Sequence, residues 1–598
     1  MKILSMLFLT VFSSLLYGQE QLPAAKQLIS FTKADTWVAI DGIGRELIPS
    51  NKGIRKDKYV GMFYFIWQGA HGYDTNHKKS DDEGVQEKLP TDTRSPYDIT
   101  KLLKENPANP QYGPNHAFHH WGEPYFGYYL SDDEWIIRKH AQMLSDAGVD
   151  VIILDVTNAA IYLPQVTKIA ETYRKLRKEG ISTPDIAFIA NSQPKETVSR
   201  LYESIYKPGL FKDLWFYWKG KPLLLCPPEG LTDEIKTYFS HRHSWAWSTG
   251  EKWFADGKDK WPWIDHSPQS YGWHEAKDKP EQMAVAIAEH PIGNVGRSHV
   301  NGKQPENPES GLGLHFQEQW NRALKVDPEF IFVTGWNEWV AMRFIDGRAK
   351  KMMGKSIEKG ETFFVDLYNA EFSRDAEPVK GDFNDNYYYQ LIDNIRKYKG
   401  ARSIPVFTEE KTITVDGKFK DWENVKATFN DDKGDTYHRK HAGWGRIGEY
   451  VNTSGRNDLI LSKITSDENN VYFYVKTADN LSSSIDENWM NLLLKTTDLL
   501  PNWEGFNYVI SKKSNVADYT LSKFKADGSL ETLEKVELSF NKNEIEIAIS
   551  KKDLNIKNNQ FIIDFKWTDN IAKANAMLWL DQGDTAPNAR FRYRYIKQ

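Results

Sequence analysis

At 598 residues the chain exceeds the size at which one hydrophobic core stops growing, so two or more domains are expected. Apolar residues at 40% and aromatic residues at 13% exclude a disordered chain. The 77 basic and 82 acidic residues nearly cancel, which excludes the polycationic face of a nucleic-acid binder and points to an uncharged partner.

Residues 1–18 place Lys2 before an apolar run and a small residue, Gly18, before the polar Gln19 and Glu20. This is the layout of a cleavable secretory signal, too short for a membrane span; a secreted or periplasmic, monomeric protein is expected. Residues 19–58 are a polar lead-in. The lone cysteine, Cys226, has no partner for an internal disulfide and sits in an apolar run, so it reads as a buried strand residue.

Residues 59–67, Tyr-Val-Gly-Met-Phe-Tyr-Phe-Ile-Trp, form the first strong strand signal, ending at Trp67. A long aperiodic segment follows to about residue 130, a length that is usually functional; it carries His116, His119, His120, Trp121 and Glu123. The histidines lack matching metal-ligand spacing elsewhere and read as hydrogen-bonding groups. Ser131-Asp132-Asp133-Glu134 is a capping box opening a helix that Gly148 stops. Residues 149–155 then read as a buried parallel strand delivering Asp155 to its C-terminal end. A helix ending at Gly180 and a strand over 185–191 follow. Residues 222–226, 244–247, 283–288, 329–334 and 362–368 continue the alternation.

Eight such strands over residues 59–402 predict a (β/α)8 barrel, a TIM barrel of the α/β class. No glycine-rich phosphate loop supports a doubly wound sheet. Between 245 and 273 stand six tryptophans: Trp245, Trp247, Trp253, Trp261, Trp263 and Trp273. Their flat apolar faces match the C–H faces of sugar rings. Asp265, His266, Tyr271 and His274 stand among them as hydroxyl partners. The stretch Glu371-Phe372-Ser373-Arg374-Asp375-Ala376-Glu377-Pro378 reads equally as a charged rim or a salt-bridged connection. From about residue 408 to 598 short alternating runs separated by Asp, Asn, Gly and Lys turns predict an all-β sandwich.

Residues 329–339 carry the strongest signal. An apolar β run breaks at Gly335 and presents Trp336, Asn337, Glu338 and Trp339, the pattern of a strand delivering a carboxylate to a barrel's C-terminal mouth. Thr334-Gly335-Trp336-Asn337-Glu338-Trp339, with the Tyr-rich first strand, resembles the superfamily of glycoside hydrolase families 71 and 99. In family 99 the motif's first Glu is a base assisting the substrate's 2-hydroxyl, and a Glu three residues on is the acid. Glu338 matches the first; Ala341 occupies the position of the second, so the family's endo-mannosidase activity does not transfer. Residues 413–422, Ile-Thr-Val-Asp-Gly-Lys-Phe-Lys-Asp-Trp, are similar to the opening of family 9 carbohydrate-binding modules. That resemblance implies a structural calcium, for which Asp416, Asp421, Asp431 and Asp432 would serve.

Glycosidic cleavage needs one carboxyl to protonate the leaving oxygen and another to assist attack. Glu338 is the first; its partner is sought at Asp155, then Glu371, then Glu123. The expectation is a secreted glycoside hydrolase acting on an oligo- or polysaccharide without a catalytic metal or cofactor. The alternatives are a glycan-binding protein on a degenerate barrel, which Ala341 favours, and a glycosyltransferase-like relative, which the signal segment disfavours.

Overall fold

A computed structural model describes residues 32–49, 53–69, 97–108, 110, 112, 115–445, 447–498, 500–512, 518–571 and 575–598. The signal-like stretch and residues 70–96 of the long segment after Trp67 lie outside the described residues. Among the described residues no helix is long and apolar enough to cross a membrane.

The principal sheet is built on seven parallel strands. In spatial order they are Pro280–Ala286, Phe330–Thr334, Tyr59–Tyr64, Val151–Val156, Asp185–Ala190, Lys221–Leu225 and Ser240–Arg242. A short antiparallel strand, Tyr271–Trp273, borders the first of them. The two central neighbours of Tyr59–Tyr64 are almost wholly buried, as expected of strands covered on both faces. Gly61 is required where they meet, because a Cβ there would stand 2.5 Å from the Phe330 ring and 3.0 Å from Ile153.

The sheet is not the closed (β/α)8 barrel that the strand count predicts. It is an open half-barrel in a mixed α/β fold, curled through 204° with its edges 13 Å apart. Two local causes are visible. The run counted as the eighth strand contributes only Phe363–Phe364, which pairs antiparallel with Val340–Phe344 in a separate three-stranded sheet completed by Phe118–His120. At the other edge Ser240–Arg242 is only three residues long. The tryptophan-rich chain crossing the gap makes isolated bridges, His243 with Lys260, Ala246 with Ile264 and Lys258 with Trp273, instead of a ladder. Pro262 lies within that crossing and has no N–H to donate.

The helices follow their end signals. The helix Glu134–Ala147 is capped by Asp133, which accepts from the Trp135 N–H, and it stops at left-handed Gly148. Leu163–Glu179 stops likewise at Gly180. Asn386–Lys399 lies against Glu134–Ala147, where the Tyr388 hydroxyl donates to the Met143 carbonyl.

Beyond residue 405 the chain forms two antiparallel-rich sheets of eight and five strands. They pack face to face through Phe429 and Phe473 on Phe565, with centroids 5.2 and 5.8 Å apart. A hairpin, Arg439–Ala442 with Glu449–Asn452, reaches back onto the half-barrel unit. There the Tyr450 hydroxyl accepts from the Tyr128 N–H (2.8 Å) and the Trp444 N–H donates to the Tyr128 carbonyl (2.8 Å). Gly127, at φ +81°, leaves room for the Tyr450 ring, which a Cβ would meet at 2.4 Å.

Candidate active site

Strand Phe330–Thr334 leaves the sheet at its C-terminal edge through a cis peptide between Thr334 and Gly335. The next residues are held by the neighbouring strand. Asn337 accepts from the Phe65 N–H (2.9 Å) and donates to the Phe65 carbonyl (3.0 Å), mimicking one more rung of the ladder. Trp336 and Trp339 are fully buried. Trp339 stacks on Trp121 at 4.5 Å and donates to Glu377 at 2.6 Å. In the Trp-Asn-Glu-Trp stretch, then, three side chains fix the backbone and Glu338 is the one aimed outward from it.

Glu338 retains 7% exposure. Its Oε2 accepts from Arg374 through Nη2 (2.7 Å) and Nε (2.9 Å), and its backbone N–H donates to Asp375 (2.6 Å). Arg374 also approaches Asp366 at 3.7 Å. Burial is the main influence on the Glu338 carboxyl. Arg374 opposes it, while Asp366, Asp375 and Asp155 reinforce it, and the result is pushed up to about 8. Asp375, held under the site by the Trp121 indole N–H (3.0 Å), is likewise pushed up by burial to about 7. Arg374 and, at Asp375, Arg297 only partly offset this burial, so both carboxyls are raised above the ordinary carboxylate range.

Asp155 stands at the end of strand Val151–Val156 as expected, accepting from Trp67 Nε1 (3.1 Å) and the Thr157 N–H (3.0 Å). Burial raises its carboxyl, with Asp366 adding to the effect. Trp67 is packed on Phe65, Phe118 and Tyr162. Trp263 covers Arg374 at 5.1 Å and stacks on Phe63. Its indole N–H is buried without a partner among the described residues, a donor that a ligand hydroxyl could meet.

The other expected residues are placed elsewhere. Glu371 accepts from the Ser298 N–H, the Ser298 hydroxyl, Gln304 and Ser310, all between 2.6 and 2.9 Å, and so organises a loop. Glu123 lies between Lys101 (2.8 Å) and Lys380 (2.7 Å). Burial works against its ionisation, but those two hydrogen bonds hold its carboxyl below the ordinary value. His119 is enclosed by Tyr97, Tyr112 and Phe364, and burial drops its imidazole to about 3. His120 packs between Tyr128 and Trp444. Asp265 accepts from Ser248, His266 and Ser270 and fixes the tryptophan-rich loop. His266 pairs with Glu289 and stacks on Trp247 at 4.7 Å. Tyr271 donates to the Lys277 carbonyl at 3.1 Å.

Sequence reasoning missed Asp366 as a member of the site and saw Arg374 only within a stretch that read equally as a charged rim or a salt-bridged connection. Asp366, at φ 68° and with 39% of its side chain exposed, follows the Phe363–Phe364 strand and faces His290 at 3.7 Å. Its approach to Arg374 is invisible in sequence, because it depends on how distant segments pack.

No protein-family model and no curated protein matches the chain. Among solved structures it is similar to the GH99 endo-alpha-mannosidase from Bacteroides thetaiotaomicron. The match has 15% identity and a TM-score of 0.33, covering 57% of this chain and 99% of that one. A second structure of that mannosidase, in complex with BIS-TRIS-propane, gives 14% and 0.32 over 57% and 97%. Likeness at that level carries no argument about activity, which rests on the site itself.

Of the four aspartates expected to hold a cation in the sandwich, three have protein partners and Asp431 lies near a further cluster of carboxylates. Asp416 pairs with Lys418 (2.9 Å), Asp421 accepts from the Thr414 N–H (3.2 Å), and Asp432 pairs with Lys33. Asp435, Asp458 and Asp584 instead bring carboxylate oxygens within 4.8 Å of one another. Asp431 Oδ2, Asp435 Oδ1 and Asp458 Oδ1 are buried without hydrogen-bond partners among the described residues. Converging oxygens of this kind fit a hard cation such as Ca2+.

Proposed function

We propose that the chain is an exported carbohydrate-active hydrolase that cleaves a glycosidic bond at Glu338, with the sandwich as an accessory unit. The observation that carries this reading is the Glu338 carboxyl itself: buried at the C-terminal edge of the sheet, bound to Arg374, and surrounded by Asp366, Asp375 and Asp155. A proton held there near neutral pH suits the acid that protonates a leaving oxygen. The resemblance gives the matching Glu the role of base, but the pKa direction favours the acid. Asp366, the carboxylate with access to water, is the favoured base, and Asp155 the next candidate. Trp67 and Trp263 form the apolar wall against which a sugar ring packs. No step in this scheme calls on a metal.

The assignment has a sign that can be measured. If Glu338 acts as the acid, kcat/KM falls as pH rises through about 8, losing about tenfold per unit above it. If it acts as the base, activity instead climbs through the same range. A pH–rate profile on any cleaved substrate distinguishes the two.

Ala341, at the position where the resembled family has its acid, pairs with His119 inside the three-stranded sheet. This favours a second reading, a glycan-binding protein that does not cleave. Glu338→Gln separates the two.

The sandwich is proposed to hold Ca2+ at Asp435, Asp458 and Asp584, where the ion would offset buried negative charge and take no part in the chemistry. Chelation by EGTA is expected to lower the melting temperature, by the equivalent of about 3 kcal/mol when the ion is present at a hundredfold over its dissociation constant. Asp458→Asn should melt earlier than wild type and lose the rise in melting temperature that added Ca2+ gives the metal-free protein. An unchanged melt in EGTA would remove the ion from this account.

A further inference from the structure

A second cluster has different donors. The helix Leu314–Val326 carries His315 and Glu318 three residues apart on one face. His299, from the loop preceding it, faces them: its ring meets that of His315 edge to face at 5.6 Å. One ligand atom from each of His299, His315 and Glu318 lies within 4.8 Å of the other two.

These groups have unmet polar atoms. His315 is fully buried; its Nε2 meets only Glu289, and its Nδ1 has no hydrogen-bond partner among the described residues. His299 Nδ1 and Glu318 Oε2 are in the same condition. A buried ring nitrogen without a partner is rare, because its desolvation is not repaid unless something binds it. Behind His315, Glu289 Oε1 stands 3.4 Å from Nε2. A carboxylate behind the far nitrogen of a histidine is the usual support of a metal ligand, since it fixes the tautomer and raises the basicity of the coordinating nitrogen.

We propose that His299, His315 and Glu318 bind a borderline divalent transition metal of the Zn2+ class, with Glu289 orienting His315 as a positioning residue. Two imidazoles and one carboxylate are the donor set zinc accepts, and three protein ligands leave a fourth position open. The all-oxygen cluster in the sandwich suits a hard cation, and excess Ca2+ in the test keeps it filled. Glu289 lies just beyond strand Pro280–Ala286, on the same side of the sheet as Glu338, and its other oxygen bonds His266. The site would therefore tie the loop carrying His299 to the tryptophan-rich wall. It does not depend on the hydrolase reading.

The test uses the full chain, purified, dialysed against Ca2+ with a small excess of Zn2+, and passed through a desalting column. Elemental analysis is expected to find one zinc per chain, and Co2+ substitution to give the visible absorption of a four-coordinate N/O site. His299 and Glu318 are only partly buried, so the double variant His299→Ala, Glu318→Gln should keep its circular dichroism while losing the zinc and the cobalt spectrum. Glu289→Gln should weaken zinc binding about 10- to 100-fold without abolishing it. A wild type that retains no zinc, or a folded double variant that retains as much as wild type, would overturn the proposal. Because the readout is bound metal, it is unaffected if no glycan is ever cleaved.

Discussion

Glu338→Gln is expected to lower turnover by about a hundred- to ten-thousandfold, the usual worth of a positioned acid or base, while leaving glycan affinity nearly unchanged. The amide has the shape of the acid but no proton to give. The fold should tolerate the change, because Arg374 keeps Asp366 at 3.7 Å as a neighbouring charge and the backbone around residue 338 is fixed by Asn337 and Asp375. The measurement is reducing-sugar release from α-mannans, α-glucans and algal and plant cell-wall polymers, with calorimetric binding beside it. Release by wild type alone makes Glu338 part of a hydrolytic mechanism and identifies the substrate class. If both proteins bind a glycan and neither releases sugar, the chain is a binding protein and Ala341 marks where the acid is missing. Asp366→Asn should fall as far as Glu338→Gln if Asp366 is the base. If it stays near wild type while Asp155→Asn falls, the second carboxylate is Asp155.

Local order was legible in the sequence wherever it is written in neighbouring residues. Asp133 and Gly148 bracket their helix because a cap needs only a side-chain acceptor or a left-handed residue at one position. The run before Gly335 reads as a buried strand because each of its residues is apolar or β-forming. Partnership is not written locally. Residues 362–368 have strand composition, but nothing in them says that Phe363 and Phe364 pair with Val340–Phe344 and leave the main sheet open. Counting strands therefore predicted closure that the pairing does not provide. The site divides the same way. Glu338 and Asp155 are readable as carboxylates at strand ends. The charged stretch after Glu371 could be seen only as a crowd: the structure sends Glu371 into a loop, Arg374 and Asp375 to Glu338, and Glu377 to Trp339 and Tyr129. Those destinations depend on chain segments far away in sequence, as does the meeting of His299 with His315 and Glu318.

The largest expected loss of stability comes from Asp133→Ala, because one buried carboxylate serves both parts of the molecule. Its Oδ1 caps the helix Glu134–Ala147 at the Trp135 N–H (3.0 Å). Its Oδ2 receives Arg439, from the hairpin of the sandwich, at 2.8 Å. Both residues are nearly inaccessible, at 1% and 5% exposure. Arg439 also donates to the Phe126 carbonyl (2.8 Å) and lies over the Trp135 and Tyr450 rings. Removing the carboxylate leaves a buried guanidinium without its counter-charge, a loss of about 3–5 kcal/mol, and removes a cap worth about 1 kcal/mol. Asp133→Asn separates the two contributions. Asparagine caps a helix about as well as aspartate, so it should lose the ion-pair component alone and fall slightly short of the alanine variant. Arg439→Met keeps an apolar stem against Trp135 and leaves the helix cap in place but strands the buried Asp133 carboxylate, so it should cost about as much as Asp133→Asn. Denaturant unfolding followed by far-ultraviolet circular dichroism and by tryptophan fluorescence checks that Arg439→Met and Asp133→Asn both fall between wild type and Asp133→Ala. If Asp133→Ala unfolds with wild type, the hairpin contact does not hold the two units together, and their junction rests on other pairs such as Arg590 with Asp385.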